Sequence, residues 1–599
     1  MEESLKEIDV FKDKSFVHVW RSENLIEFIL SDLDRRVKRD RPTKLSVFFT
    51  GLSAYTREPI NLFLKGESGV GKSYNVVQTL AYFPQGPEGD VWFLGGLSPK
   101  ALIRQYGKLL NKHGEPLDLD DKPVKPKKKD YASEEEYQEA LREYREELKA
   151  YIEEIRESYM LIELSRKILV FLEAPEYETF KMLLPILSHD VEEYEYKFVD
   201  KSERGPLRTR RVRIRGWPAT IFCTVDRRYM EELATRSFTV TPEASKEKIQ
   251  EANVLTNLKV AFPWLFNEET EETISIKALI ESLKRQLDGK TDVIIPFTNL
   301  HELFPSEIVR DMRDFQHFAQ FLKALTVLNF YQRPFIKVGD KRFLVSSIED
   351  VGKALEVYTM LFETTRTGTE QRILRFYHEI VKTKEGWYLD EVTAKYNELH
   401  SEKKLSSDSV SLMLKRLSEI GYITVQKDSE DKRLNIYKPL IMEEKKGEIH
   451  RILENRELLN SKLETGFKEW LANYPKNAQF FYYKNFSEDK WGEKEITIEE
   501  ASKIILEGPS AEIFSSISDK GSFGYLSEEN SKSQLEKKLG NILKTEILGI
   551  SDNSKLEVPK GLVLCEFCAK QGERMFFATL EDLKNHAKAF HGGYPDYVR

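Results

Sequence analysis

Three cysteines in 599 residues are too few for a disulfide framework. Two of them, Cys565 and Cys568, stand as a Cys-x-x-Cys pair that suits metal ligation in a reducing compartment. The third, Cys223, lies in an apolar run and reads as core. Long hydrophobic runs are also missing. No stretch approaches the roughly 18 apolar residues that a membrane span requires, and 32% of the residues are charged, so a soluble protein without a membrane partner is expected. The opening Met1-Glu2-Glu3-Ser4-Leu5-Lys6 has no apolar centre, so neither a secretion signal nor an Arg-rich transit peptide is expected, and the predicted location is cytoplasmic. A surplus of positive charge is lacking too. A net charge of −8 excludes a general basic coat for nucleic acid and leaves that task to local features. The Lys/Glu-rich, Cys-poor composition leans towards a heat-adapted organism. The length implies several domains.

What is present is organised around Gly66-Glu67-Ser68-Gly69-Val70-Gly71-Lys72-Ser73. This stretch follows the apolar run Asn61-Leu62-Phe63-Leu64 and precedes Tyr74 to Leu80. Strand, glycine loop and helix in this order suit polyphosphate binding: consecutive backbone N–H groups curl around the phosphates, and the helix N-terminus adds partial positive charge. Gly66, Ser68, Gly69, Gly71, Lys72 and Ser73 are therefore the expected ATP-binding residues, with Lys72 reaching the β- and γ-phosphates and Ser73 ligating Mg²⁺. Ser22 to Arg36 carries a helical apolar stripe and reads as a lead-in arm. A second stripe, from Lys44 to Tyr55, is predicted to pack on the sheet as its first helix, and Asp90 to Gly95 is the next strand. The fold class is α/β.

From about 109 to 151 the periodicity collapses into charge, which reads as an insertion. Lys167 to Glu176 then restores the core with an apolar run that ends on a carboxylate. Two registers stay open. In one, Leu172 stands where an aspartate is usual and Glu173 polarises water; in the other, Glu173 serves Mg²⁺ and Glu176 is the base. Tyr194 to Asp200 and Thr209 to Arg215 flank a Gly-Pro tip and predict a β-hairpin. Between Tyr196 and Arg215 eight Lys/Arg face two acids, so Lys201, Arg204, Arg208 and Arg210 are expected to touch DNA phosphates. Ala219 to Val225 is a buried strand ending in the Thr224 hydroxyl. Arg236 follows in a loop before Phe238. Residues 270–365 read as a helical lid whose strongest segment, Glu307 to Leu322, places Arg313 towards nucleotide.

These residues in this order resemble the AAA+ superfamily, in the clade with a hairpin before the sensor strand, and are most similar to the minichromosome-maintenance helicases. The match covers roughly residues 43–365. The resemblance implies a homo-oligomer, a hexameric ring whose hairpins line a channel and grip DNA. It assigns Lys72 and Ser73 to Walker A, Glu173 to Walker B, Thr224 to sensor 1, Arg236 to the arginine finger and Arg313 to sensor 2. Three departures stand out: Gly-Lys-Ser replaces Ala-Lys-Ser, the Walker B pair is incomplete, and no DNA-binding barrel precedes residue 43.

Downstream, Thr369 to Lys382, Leu389 to Leu399 and Ser406 to Ile420 carry helical stripes, and Tyr422 to Gln426 and Arg433 to Tyr437 read as strands. Three helices and a two-stranded wing predict a winged helix-turn-helix. Ser409, Ser411 and Lys415 would face a major groove, and Lys427, Lys432 and Arg433 would reach phosphates. Residues 446–558 read as mainly helical, without a functional assignment. Near the end, Cys565-x2-Cys568 and His586-x4-His591 can close a tetrahedral Zn²⁺ site resembling a two-Cys/two-His finger. The expected domains are an arm (1–42), a nucleotide-binding domain (43–269), a lid (270–365), a winged helix (366–445), the helical region (446–558) and a zinc finger (559–599). The expected function is an ATP-hydrolysing DNA motor, a replicative or mobile-element helicase or initiator working with proteins of those systems. The alternative is an ATP-switched DNA-binding loader or regulator.

Overall fold

A computed structural model of the chain describes residues 19–22, 24–66, 69–86, 88–95, 98–118, 122–200, 208–223, 230, 233, 237–266, 269–304, 311–367, 371–401, 404–419, 422–428, 431–439, 456–474, 481–487, 490–508, 563–564 and 576–577. The chain divides into two compact units, Met1–Lys520 and Gly521–Arg599.

Short apolar runs buried on both faces form parallel sheets, because crossover helices cover each face. Here β1 (Asn61–Leu64), β2 (Val91–Leu94), β5 (Ile168–Phe171), β8 (Ala219–Phe222) and β9 (Phe238–Val240) pair in the order β2-β5-β8-β1-β9. All four pairings are parallel, so the C-terminal ends of the strands share one edge. Phe63, Phe222 and Phe171 stack across β1, β8 and β5 with centroids 4.5 and 4.7 Å apart, just beneath that edge.

Helix α1 (Leu25–Asp34) buries Leu25, Ile26, Ile29, Leu30 and Leu33, the face its stripe predicts. It is not a separate arm. Trp20 stacks on Tyr331 at 5.1 Å, and the Arg21 guanidinium donates to the Lys484 carbonyl at 2.6 Å, which ties the N-terminal segment into the core. Helix α2 (Arg41–Ser53) has no one-sided stripe, since every residue from Thr43 to Ser53 is buried. Its Lys44 is matched by Asp34.

The predicted hairpin is present as β6 (Glu193–Asp200) and β7 (Arg208–Arg215), with Glu193 opposite Arg215 and Asp200 opposite Arg208. It belongs to a larger sheet. β3 (Lys108–Leu110) and β4 (Tyr159–Glu163) join it in the order β3-β4-β7-β6. The insertion is thus the excursion between two paired strands, and half of it is the 24-residue helix α5 (Glu134–Glu157), which follows α3 (Lys72–Leu80) and α4 (Pro99–Tyr106). A Ser133/Glu136 capping box starts α5, and none of its residues is buried.

The region expected to be a helical lid is a mixed structure. Helices α8 (Glu271–Gln286), α9 (Asp311–Leu328) and α10 (Ile348–Thr367) surround a second five-stranded sheet, after α6 (Tyr177–Leu187) and α7 (Lys246–Ala261) earlier in the chain. Its order is β10 (Thr291–Ile294), β12 (Lys341–Val345), β11 (Pro334–Val338), β15 (Phe481–Ser487) and β16 (Lys490–Ile496). The last two come from the stretch read as mainly helical, and Phe481 and Tyr483 are buried in the shared core.

Three further helices, α11 (Gln371–Glu379), α12 (Leu389–Leu399) and α13 (Ser407–Glu419), and the antiparallel pair β13 (Ile423–Lys427) and β14 (Asn435–Pro439) enclose a core of their own. The strands begin one and two residues later than predicted, and Trp387 bridges to Tyr437 of β14. Helices α14 (Arg456–Ala472) and α15 (Ile498–Glu507) follow. In the second unit Val563–Leu564 (β17) pairs with Phe576–Phe577 (β18).

Candidate nucleotide site and nucleic-acid surfaces

The loop after β1 uses its glycines for backbone geometry. Gly66, Gly69 and Gly71 have φ values of 143°, 88° and 86°, a region that side-chain-bearing residues rarely adopt. Gly71 then caps α3, and Asn75 N–H donates to its carbonyl at 2.9 Å. Lys72 is largely buried and its Nζ donates to the Gly66 carbonyl at 2.7 Å, so the ammonium lies across the mouth of the loop. Ser73 is exposed on the first turn. Residue Ser68 lies outside the described residues.

The sheet order brings the other parts to this edge. β8 lies between β1 and β5, and strands spaced about 4.8 Å apart place the ends of β1 and β5 about 10 Å from each other. At the end of β8, Cys223 donates its N–H to the Phe171 carbonyl at 2.9 Å, and its thiol contacts the Ser73 hydroxyl. Burial pushes that thiol up to about 12, against the opposing pull of Ser73 and Lys72. Cys223 is buried in the core as expected, and it also touches the phosphate loop. Beyond β5, Leu172 is half-buried while Glu173 and Glu176 are exposed, and Glu176 occupies the position before the first turn of α6. Both registers of the acidic pair therefore remain geometrically open. Thr224 and Arg236 lie outside the described residues. Arg313 is exposed on α9, whose Asp314 and His317 face inward.

One network at this site was not anticipated. Asp40, with φ 59°, accepts from Thr43 Oγ1 at 2.7 Å, the Glu243 N–H at 3.2 Å, Lys248 Nζ at 2.6 Å and Asn75 Nδ2 at 3.3 Å. It clamps the start of α2, the phosphate-loop helix and the start of α7 to one carboxylate. Only the Thr43 contact is local; the other three partners come from two distant segments, which no local pattern announces.

The hairpin stem departs from a row of solvent-facing arginines. Arg211 donates to the Glu157 carbonyl at 2.5 Å, Arg213 covers the Tyr159 ring at 4.2 Å, and Arg215 pairs with Glu163 at 2.7 Å. These three hold the stem against β4 and the end of α5. Lys201 and Arg204 lie outside the described residues; Arg208 and Arg210 are placed on β7 by their backbone.

On α13 the exposed positions among the described side chains are Ser407, Asp408, Leu412 and Lys415. Ser409 and Ser411, expected in a groove, are half-buried, and Ser409 is held by the Ser406 hydroxyl through its N–H at 3.3 Å. Lys427, Lys432 and Arg433 are exposed on the β13–β14 hairpin. Cys565, Cys568, His586 and His591 lie outside the described residues, in the unit where β17 and β18 bracket the two cysteines.

No family model matches this chain, and no curated protein matches it.

Proposed function

We propose that this chain is an ATP-hydrolysing DNA motor of the AAA+ type that assembles into a ring, serving as a replicative or mobile-element helicase or an initiator. The observation that carries the reading is the sheet edge: the glycine loop with Lys72 and Ser73, the end of β8 at Cys223, and Glu173 beyond β5 converge there. The residues fit a magnesium nucleotide. The N-terminus of α3 and the Lys72 ammonium suit a polyphosphate, and Ser73 would supply a hydroxyl ligand. Magnesium, when bound, would neutralise phosphate charge during cleavage. Glu173 would then orient the attacking water, while Thr224, Arg313 and a neighbour's Arg236 would contact the terminal phosphate. The tip residues Lys201, Arg204, Arg208 and Arg210 would follow the DNA backbone, and the module from 371 to 439, read as a winged helix, would dock the motor on duplex DNA. Zinc at Cys565, Cys568, His586 and His591 is proposed from their spacing.

The exposed Glu173 beside half-buried Leu172 also favours a second reading, a slow ATP switch that loads or regulates without unwinding. Strand separation of a forked duplex, with ATP turnover recorded in the same samples, decides between them. Unwinding by the wild type with at least a hundredfold loss of turnover in Lys72→Ala is expected. ATP-dependent DNA binding without unwinding would select the switch, and turnover unaffected in Lys72→Ala would overturn both.

A further inference from the structure

The exposed face of α13 carries one acid, one leucine and one base in line. Asp408, Leu412 and Lys415 are spaced by four and three residues, so they lie one above another on a single stripe. Leu412 keeps 68% of its surface exposed, while Val410, Met413, Leu414 and Leu417 on the opposite side fill the core. Burial does not explain a leucine there. Lys427 and Lys432 are exposed, and among the described acids of the wing two are engaged internally. Asp428 accepts from the Tyr388 hydroxyl and from the Asp431 N–H at 2.9 Å, and Asp431 pairs with Arg433 at 3.1 Å.

We propose that α13 reads pyrimidines in the major groove, with Leu412 packing on a thymine 5-methyl group and Asp408 accepting a hydrogen bond from a cytosine N4 amino group. In the major groove the thymine methyl is the apolar feature and the cytosine amino group the donor that a carboxylate can accept. Four residues of helix rise about 6 Å, close to two base steps of about 3.4 Å, so the two bases are about two steps apart. Lys415 lies one turn further on and supports phosphate contact with Lys427 and Lys432. The inference rests on the DNA-docking reading of this module and adds base preference to it.

The full chain, loaded with zinc, is used to select duplexes from a randomised pool, with wild type, Leu412→Ala and Asp408→Asn in parallel. In the selected duplex each thymine is then replaced singly by uracil, which lacks the methyl group. One replacement is expected to weaken wild-type binding about fourfold, the size expected for one methyl-sized apolar contact, and to leave Leu412→Ala unaffected. Asp408→Asn should lose the cytosine preference at a position about two steps away. If no thymine is methyl-dependent, or if Leu412→Ala keeps the dependence, the inference fails. A Lys415/Lys427/Lys432→Ala triple variant separates this failure from that of the underlying reading. Unchanged duplex affinity and salt slope in that variant would remove DNA docking by the module altogether and turn the Leu412 face towards a protein partner.

Discussion

His189 occupies a left-handed conformation, φ 59°, between α6 and β6, with its ring 5.4 Å from Trp217. Burial pulls its pKa down to about 4, with Asp190 opposing. Unfolded, the same imidazole titrates near 6.5. Between these values the unfolded chain binds the extra proton, so the fold is favoured fully above about pH 6.5 and loses that contribution as pH falls towards 4. The slope is at most about 1.4 kcal/mol per pH unit. Asparagine tolerates the same backbone conformation. Denaturant unfolding of His189→Asn should therefore show a flatter pH dependence across this window than the wild type; equal slopes would show that His189 is not the group responsible. At this scale sequence legibility was uneven. Gly66, Gly69, Gly71 and Lys72 announce their roles because backbone freedom and a fixed spacing are properties of the sequence itself. The Asp40 clamp and the contact between Cys223 and Ser73 depend on which segments meet, and spacing carries no trace of that.

Among the elements, the lid sheet is held by a buried pair. Arg333 and Asp350 are both fully buried, joined at 2.7 and 2.8 Å, and Asp350 also accepts from Asn329 at 2.8 Å and from the Ser347 N–H at 3.0 Å. Burial drives the Asp350 carboxyl upward, but Arg333 and these hydrogen bonds outweigh it and hold the group below the usual carboxylate range. Removing one partner leaves a buried charge without its match, which costs about 3–5 kcal/mol. Arg333→Met should lower the thermal midpoint of the nucleotide-binding unit by several degrees, and adding Asp350→Asn should recover part of the loss. A double variant no more stable than the single one would contradict a charge-based cost. The β11–β12 hairpin was legible in principle. Val338-Gly339-Asp340-Lys341 is a two-residue turn with Gly339 at φ 64°, the Gly-Asp signal of a hairpin, hidden in a region dominated by helical stripes. The pairing of Pro334 with Tyr483 was not legible, because it joins strands almost 150 residues apart and neither strand alone specifies its partner.

Across the whole molecule, the hairpin sheet and the nucleotide sheet are joined by chain continuity. β4 runs into β5 through a bend at Arg166 (φ 63°), and β7 runs into β8 through a bend at Gly216 (φ 88°). The two bends lie side by side. Leu164 N–H donates to the Arg215 carbonyl at 2.7 Å, Ala219 N–H to the Lys167 carbonyl at 3.0 Å, and a Cβ on Gly216 would stand 2.0 Å from Ser165 Oγ. Inserting two glycines after Trp217 should keep basal ATP turnover within about twofold of wild type while abolishing its stimulation by DNA, measured with and without a forked duplex. Stimulation that survives the insertion would show that the two sheets communicate by another route. Adjacent strands carry both sheets, and any coupling between ligands bound at the two would be reciprocal. If the proposed motor reading holds, whatever factor nucleotide contributed to the hairpin's grip on DNA, DNA held there would return to nucleotide affinity, so a load on the strand would register at the phosphate loop as a change in ATP binding.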